Sequence, residues 1–145
     1  MNPKKKTAFV WGAITPTCIA KAIAKYRNGK DLGMHAIFLG QVNADAKSKY
    51  TMTGIEYSAH EETAEEAISC IRKEAQEQFE LNGIHIRHSL GFVKTGEVGL
   101  FVFTSSNRRE TAMNACDFLV ENIRKRVPVF GKKHLKHKTN IWKEN

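Results

Sequence analysis

The feature that most constrains the fold is a pair of β-prone segments joined by a turn and not by a helix. In residues 84–90 apolar and polar side chains alternate, which is typical of a half-buried strand. Residues 98–104 are apolar on both faces, and residues 94–97, Lys-Thr-Gly-Glu, form a turn between the two segments. Adjacent strands without an intervening helix indicate an antiparallel sheet.

The rest of the chain alternates between further strands and amphipathic helices. A first helix begins at Thr15-Pro16, where threonine can cap and proline is tolerated. Further strands are predicted at residues 7–13, 34–42 and 50–59, and long helices at residues 61–81 and about 108–126. Each long helix carries one apolar stripe. The stripes are Ala64, Ala67, Ile68, Ile71, Ala75 and Phe79, and Ala112, Ala115, Cys116, Leu119 and Ile123.

This element order predicts the fold class. The order is β-α-β-β-α-β-β-α, followed by a basic tail at about residues 127–145. Such an order predicts an α+β fold with an antiparallel sheet, in a single domain that covers residues 1–145. No internal repeat or linker divides the chain.

The charge distribution favours an anionic partner. The formal net charge is +8, and residues 124–143 contain eight Lys/Arg and no Asp or Glu. Nucleic acid, a phosphorylated small molecule and an acidic protein would all fit such a surface, and a solvated tail is the plain alternative. Nucleic acid is the least favoured partner, because aromatic residues do not interleave with the basic tail as they do in stacking platforms.

Several classes of site have no signature in the sequence. Cys18, Cys70 and Cys116 are widely spaced, fall in predicted helices and are interpreted as buried or half-buried thiols. The six histidines are scattered, so we predict no metal site. The longest apolar runs are far too short to cross a bilayer, and no leader pattern opens the chain, so we expect a cytoplasmic protein without a membrane partner.

Cations are the remaining candidates for chemistry. Arg108 and Arg109 lie where a strand ends and a helix begins, and backbone N–H groups at a helix N-terminus attract anions. Two guanidinium groups there could bind phosphate. Lys132 and Lys133 follow a Pro-Val-Phe-Gly turn. From these residues alone the chain is a basic α+β domain that binds an anion.

A set of short segments, in order, resembles the large (catalytic) subunit family of molybdopterin synthase. Each segment is weak alone, but their order and spacing over roughly residues 8–143 are specific. The segments are Ala36–Val42 (AIFLGQV), Gly54–Ala59 (GIEYSA), His85–Gly91 (HIRHSLG), Gly96-Glu97, Ser105–Arg109 (SSNRR), Ala115-Cys116, Val127–Lys132 (VPVFGK) and Trp142-Lys143.

The resemblance implies a fold and an activity. It implies an α/β-hammerhead-type fold and a homodimer at the centre of a heterotetramer. The outer partner would be a small ubiquitin-like sulfur-carrier subunit whose C-terminal Gly-Gly carries a thiocarboxylate. Sulfur would pass from it to cyclic pyranopterin monophosphate and form the dithiolene of molybdopterin, without a metal or an organic cofactor.

The resemblance also implies roles for individual residues. Arg124 and Lys132 would occupy the two lysine positions tied to catalysis. The substrate-binding set would consist of Phe38 on the pocket lining, Val120 on its wall, Arg108 and Arg109 reaching across the dimer, Asn43, and Lys133.

Three positions depart from the family pattern, and the alignment of a fourth is open. Asn43 stands where the family has Arg, and Arg108 where it has His. Arg124 replaces a lysine and cannot lose a proton at neutral pH. Placing Lys132 at the second lysine position requires Gly131 to be an inserted residue, since otherwise Gly131 falls there. The alternative function is therefore a non-catalytic relative that binds the small subunit or a pterin phosphate without turnover.

Overall fold

The computed structural model describes residues 7–27, 33–44 and 50–137. Within these residues it contains three helices and six strands. In chain order they are β1 (Phe9–Trp11), α1 (Pro16–Lys25), β2 (Met34–Gln41), β3 (Tyr50–Ala59), α2 (Glu61–Gln78), β4 (Gly83–Lys94), β5 (Val98–Ser106), α3 (Arg109–Arg126) and β6 (Val129–His137).

The strands form one sheet in the order β2-β5-β4-β3-β6. Each of these neighbours is antiparallel, and the short β1 adds one parallel pairing with β4. The hairpin predicted from the sequence is β4-β5, with register from Gly83↔Ser105 to His88↔Leu100. The predicted α+β class with an antiparallel sheet is confirmed.

Strand β4 changes its partner at a glycine. Its first half pairs with β5, whereas residues 91–94 pair with β3. Gly91 has φ +80°, in the left-handed region, and a Cβ atom there would lie 3.0 Å from the Trp11 ring. Glycine at this position satisfies both the backbone conformation and the close approach.

The helices cover opposite faces of the sheet because β5 is apolar on both. Leu100 and Val102 face the main core, which the buried stripes of α2 and α3 complete. Phe101 and Phe103 face the other way and pack with Ile14 and with Ala22 of α1. The predicted α3 stripe is buried throughout; in the α2 stripe Ala67 and Phe79 are only half-buried.

Three details differ from the sequence predictions. Residues 129–137 of the basic tail form β6, because the otherwise open edge of β3 gives their backbone a hydrogen-bonding partner. Helix α2 ends at Gln78, before residue 81, since Phe79 is extended. Cys70 is exposed and not buried. Residues 45–49 and residues 138–145, with Trp142-Lys143, lie outside the described residues.

Among the described residues, none of the helices combines the length and the apolar character that crossing a bilayer requires.

Candidate functional site

A cavity of about 240 Å³ lies beside the C-terminal end of α3. We call it the Arg124 pocket. Its polar side chains are Gln41, Tyr57, His88 and Arg124, contributed by β2, β3, β4 and α3. The remaining lining is Gly40, Gly99, Leu100, Ile123, Val127 and Val129. Four elements therefore bring one cation and two polar rings together beside four aliphatic side chains and two glycines.

Arg124 supplies a fixed positive charge. Its guanidinium carbon lies 6.0 Å from the centre of the Phe38 ring, which is a cation–π distance. Burial raises the pKa of the Tyr57 phenol, and the nearby Arg124 charge partly offsets this rise. Because an arginine stays protonated, Arg124 can hold an anion but cannot shuttle a proton.

His88 supplies a neutral imidazole. Its Nδ1 lies 2.8 Å from the carbonyl oxygen of Ser89, so Nδ1 donates and the neutral ring keeps an unprotonated Nε2. Burial lowers its pKa, and the bond to Ser89 offsets part of that shift. The Tyr57 ring meets it edge-on at 5.3 Å. Neither Tyr57 nor His88 is identified as a site residue by the sequence, since the only signal is a histidine among the apolar positions of a strand.

Strand β6 presents Gly131 to the Tyr57 side of the sheet. Tyr57 and Gly131 are register partners, and a Cβ atom on Gly131 would lie 3.5 Å from the Tyr57 ring. Side chains alternate along a strand, so Lys133 shares this side and Lys132 points to the other. The structure therefore brings Lys133, rather than Lys132, to the face of the sheet that forms the pocket.

The opposite side of β6 is a separate polar surface. Lys132 is exposed there and is the register partner of Glu56. The Glu56 carboxylate lies 2.9 Å from Nε2 of His134, whose ring meets Phe92 edge-on. An anionic group thus lies on the Lys132 side, away from Arg124.

Arg108 and Arg109 lie at the other end of α3. Both are exposed, and the Arg108 backbone N–H donates to the Ser106 hydroxyl at 3.2 Å. Arg109 and Arg124 are fifteen residues apart in one helix. At 1.5 Å per residue this separation is about 22 Å. One chain therefore does not bring the arginine pair to the Arg124 pocket.

The last two predicted residues flank the site. Asn43 is exposed just beyond β2, next to Val42, whose N–H donates to the Glu97 carbonyl at 2.9 Å. Val120 is half-buried on α3 and packs against the main core. Neither residue lines the Arg124 pocket.

The described residues contain no group of three or more His, Cys, Asp or Glu side chains placed to hold a metal ion. All three cysteines of the chain are free, and burial raises the pKa of Cys116 to about 11. A thiol with such a pKa stays protonated and is a poor nucleophile at neutral pH.

Comparisons with known proteins agree on one family. A family model described as "MoaE protein" matches residues 14–126. A molybdopterin synthase catalytic subunit of Pyrococcus abyssi is 32% identical over 126 residues, which is 87% of this chain and 83% of that protein. The Arabidopsis thaliana protein of the same name is 30% identical over 83% of this chain. The match spans 60% of the Arabidopsis protein, and the matches to two rice proteins span 47% of each.

Solved structures show the same fold. A molybdopterin synthase from Staphylococcus aureus superposes with a TM-score of 0.79 at 21% identity, covering 92% of this chain and 97% of that one. A complex of subunits 1 and 2 of molybdopterin-converting factor from Helicobacter pylori 26695 gives a TM-score of 0.74 at 16% identity, covering 92% and 90%. The predicted fold and family are confirmed.

Proposed function

This chain belongs to the MoaE protein family, and we propose that it is the catalytic subunit of a molybdopterin synthase. In this role it transfers sulfur twice to cyclic pyranopterin monophosphate, one atom from each of two thiocarboxylated small ubiquitin-like subunits, and so forms the molybdopterin dithiolene. Each small subunit leaves with a C-terminal carboxylate. One domain over residues 1–145 carries the activity. We assign the reaction to the cytoplasm, since the three free thiols suit a reducing compartment.

The observation that carries this proposal is the Arg124 pocket. The substrate phosphate and the sulfur-donating tail are both anionic. Arg124, which is exposed to an incoming ligand, offers each of them a permanent cation beside half-buried Tyr57 and His88. A neutral Nε2 on His88 can accept a proton that the arginine cannot.

The proposed partner arrangement is a homodimer with two small subunits. Strand β2 is an edge of the sheet, and Ile37 and Leu39 on it are 43% and 45% exposed. An edge strand with exposed apolar side chains suits pairing with another chain. The Helicobacter pylori complex of two converting-factor subunits supports a small-subunit partner.

A dimer would also use the arginine pair. Arg108 and Arg109 lie about 22 Å along α3 from Arg124, so they can act at a pocket only if another chain supplies it. We place the substrate phosphate between the arginine pair of one protomer and the Arg124 pocket of its partner. Backbone N–H groups at the start of α3 would add to this anion site.

The proton carriers of the proposed reaction are His88 and Lys133. Gly131 occupies the strand position that faces Tyr57, and it has no side chain to contribute. Lys133 is the next residue on that side of β6, whereas Lys132 faces Glu56. Lys133 is therefore the lysine that we place nearest to the reaction.

A second candidate function is binding without turnover. Gly131 on the pocket side favours it, because a family member with lysine at this position would carry an amino group beside Tyr57. Gly131→Lys tests the point directly. A Cβ atom there would lie 3.0 Å from Cγ2 of Ile55, a contact that a small shift of that methyl group relieves.

One experiment decides between these functions. The chain is mixed with a thiocarboxylated small subunit and cyclic pyranopterin monophosphate, and dithiolene product is measured in a single turnover. We expect product from the parent chain, and Arg126→Gln serves as the control because Arg126 pairs with Glu74 outside the pocket. If the parent forms no product and Gly131→Lys does, the binding function is correct. Product from neither chain, despite bound substrate, would contradict the catalytic proposal.

A further inference from the structure

A second and larger cavity lies between α1, α2 and β4. Its volume is about 470 Å³, and we call it the Arg72 cavity. Its charged and polar side chains are Thr7, Lys25, Tyr26, Glu65, Glu66, Ser69, Arg72, His85 and Arg87. His85 and Arg87 point to the α1 face of β4, whereas His88 of the Arg124 pocket points to the opposite face. The two cavities are therefore independent.

Within the described residues, no cation of this cavity makes a salt bridge. Arg72 is half-buried, and within the described residues it has no ion pair and no side-chain hydrogen bond. Arg87 donates one Nη to the Ile86 carbonyl at 2.8 Å, which leaves its other donors for a ligand. Glu65 and Glu66 also line the cavity, so three cations share it with two carboxylates. Oε1 of Glu65 accepts from the Thr7 hydroxyl at 3.0 Å and from the Ala8 N–H at 2.6 Å.

The pKa values of the cavity's side chains show that its cations lie close together. Burial lowers the pKa of Arg72; the nearby Tyr26 and Glu65 counter the shift, while Arg87 adds to it. Burial, Arg87, Lys25 and Arg72 together lower the pKa of His85 to about 4. The three cations exceed the two carboxylates of the cavity by one charge, and partly buried cations are stabilised when a further anion joins them. His85 stays neutral at pH 7 and can donate a hydrogen bond without adding repulsion.

We infer that the Arg72 cavity binds a small phosphorylated molecule, with Arg72 and Arg87 holding its phosphate and Lys25 adding charge. Two guanidinium groups match the fork geometry that phosphate oxygens accept. The volume is of the size of pockets that take small ligands and exceeds what a bare phosphate needs. The rings of Tyr26 and His85 line the remaining space.

The test is calorimetric titration with phenyl phosphate, a probe that carries a phosphate and one ring. The full chain is used in an Arg124→Gln background, so that the first pocket contributes no strong anion binding. We expect Arg72→Gln and Arg87→Gln each to weaken the remaining binding about ten- to a hundredfold, since each removes charged hydrogen bonds. Lys73→Gln is the control, an exposed neighbour on α2 that does not line the cavity.

Three results would overturn the inference. The first is loss of all phenyl phosphate binding in the Arg124→Gln background. The second is equal weakening by Lys73→Gln and by Arg72→Gln, which would indicate only general surface charge. The third is benzoate binding as tightly as phenyl phosphate, which would remove the preference for phosphate. Circular dichroism of each variant shows that the fold is retained before its affinity is compared.

Discussion

The two ends of α3 carry exposed arginines that differ in what they contact. At the C-terminal end, Arg124 lies over the Phe38 ring in a pocket that one chain completes. At the N-terminal end, Arg108 and Arg109 are exposed, and neither side chain makes a hydrogen bond or ion pair within the described part of the chain. The difference teaches why the proposed anion site needs two chains: the arginines at the start of α3 have no pocket in their own chain.

Packing explains the difference. The last turn of α3 is fixed by buried Ile123 and Val127, so the Arg124 backbone has one position relative to the sheet. The first turn leaves backbone N–H groups without a side-chain cap, because Arg108 makes no capping hydrogen bond. Such an end suits an anion brought by a ligand or a second chain.

The largest expected effect is at the pocket end. Arg124→Ala should lower single-turnover sulfur transfer by about a hundred- to a thousandfold, because it removes a preorganised charge from the reaction centre. Arg124→Lys should keep the rate or raise it, since it retains the charge in the residue type usual for the family. Equal rates for Arg124→Ala and the control Arg126→Gln would show that Arg124 takes no part in the reaction.

The second effect is at the other end of the helix. Arg109→Ala should weaken binding of the pterin phosphate about ten- to a hundredfold, the worth of charged hydrogen bonds. Equilibrium titration at physiological salt measures it, with exposed Lys73→Ala as the matched control. An unchanged dissociation constant for Arg109→Ala would contradict the proposal that the N-terminal end of α3 binds the substrate phosphate.

A smaller effect separates the two lysines of β6. Lys133→Ala should slow sulfur transfer by about tenfold, the loss of one partly exposed charge near the pocket. Lys132→Ala should change the rate less than twofold, since its side chain points to Glu56. The reverse ranking in single-turnover rates would contradict the assignment of Lys133 to the reaction.

Much of this arrangement follows from the sequence. The apolar stripe of α3, the turn before β5 and the arginines at a helix start are local patterns, and each predicts its element correctly. The pocket is not local: Tyr57 and His88 meet only because β3, β4 and β6 pair in one register. That register also decides which lysine of β6 faces inward. Adjacent lysines in a sequence carry no such information.

The smallest effect is on the pH dependence of stability. Because the pKa of His88 is lowered in the folded chain, the unfolded chain binds more protons as the pH falls below 6.5. The contribution of the neutral His88 to the free energy of unfolding is therefore present above pH 6.5 and is lost as the pH falls. His88→Gln should flatten the acid loss in urea unfolding, and Arg109→Ala should not. His85, whose pKa is lowered to about 4, makes the free energy of unfolding depend on pH with the same sign. The double variant His85→Gln with His88→Gln should therefore lose both contributions.

A subunit-mixing titration tests the central claim, that the two ends of α3 meet across a dimer, most directly. Arg109→Ala and Arg124→Ala chains are unfolded together, refolded as mixed dimers, and titrated with the pterin phosphate. A shared site predicts that half of the dimers regain one intact pocket, about one tight site per four chains, while each variant alone has none. If the mixture contains no tight site, the shared pocket is contradicted, because Arg109 and Arg124 of different chains then do not bind one ligand together.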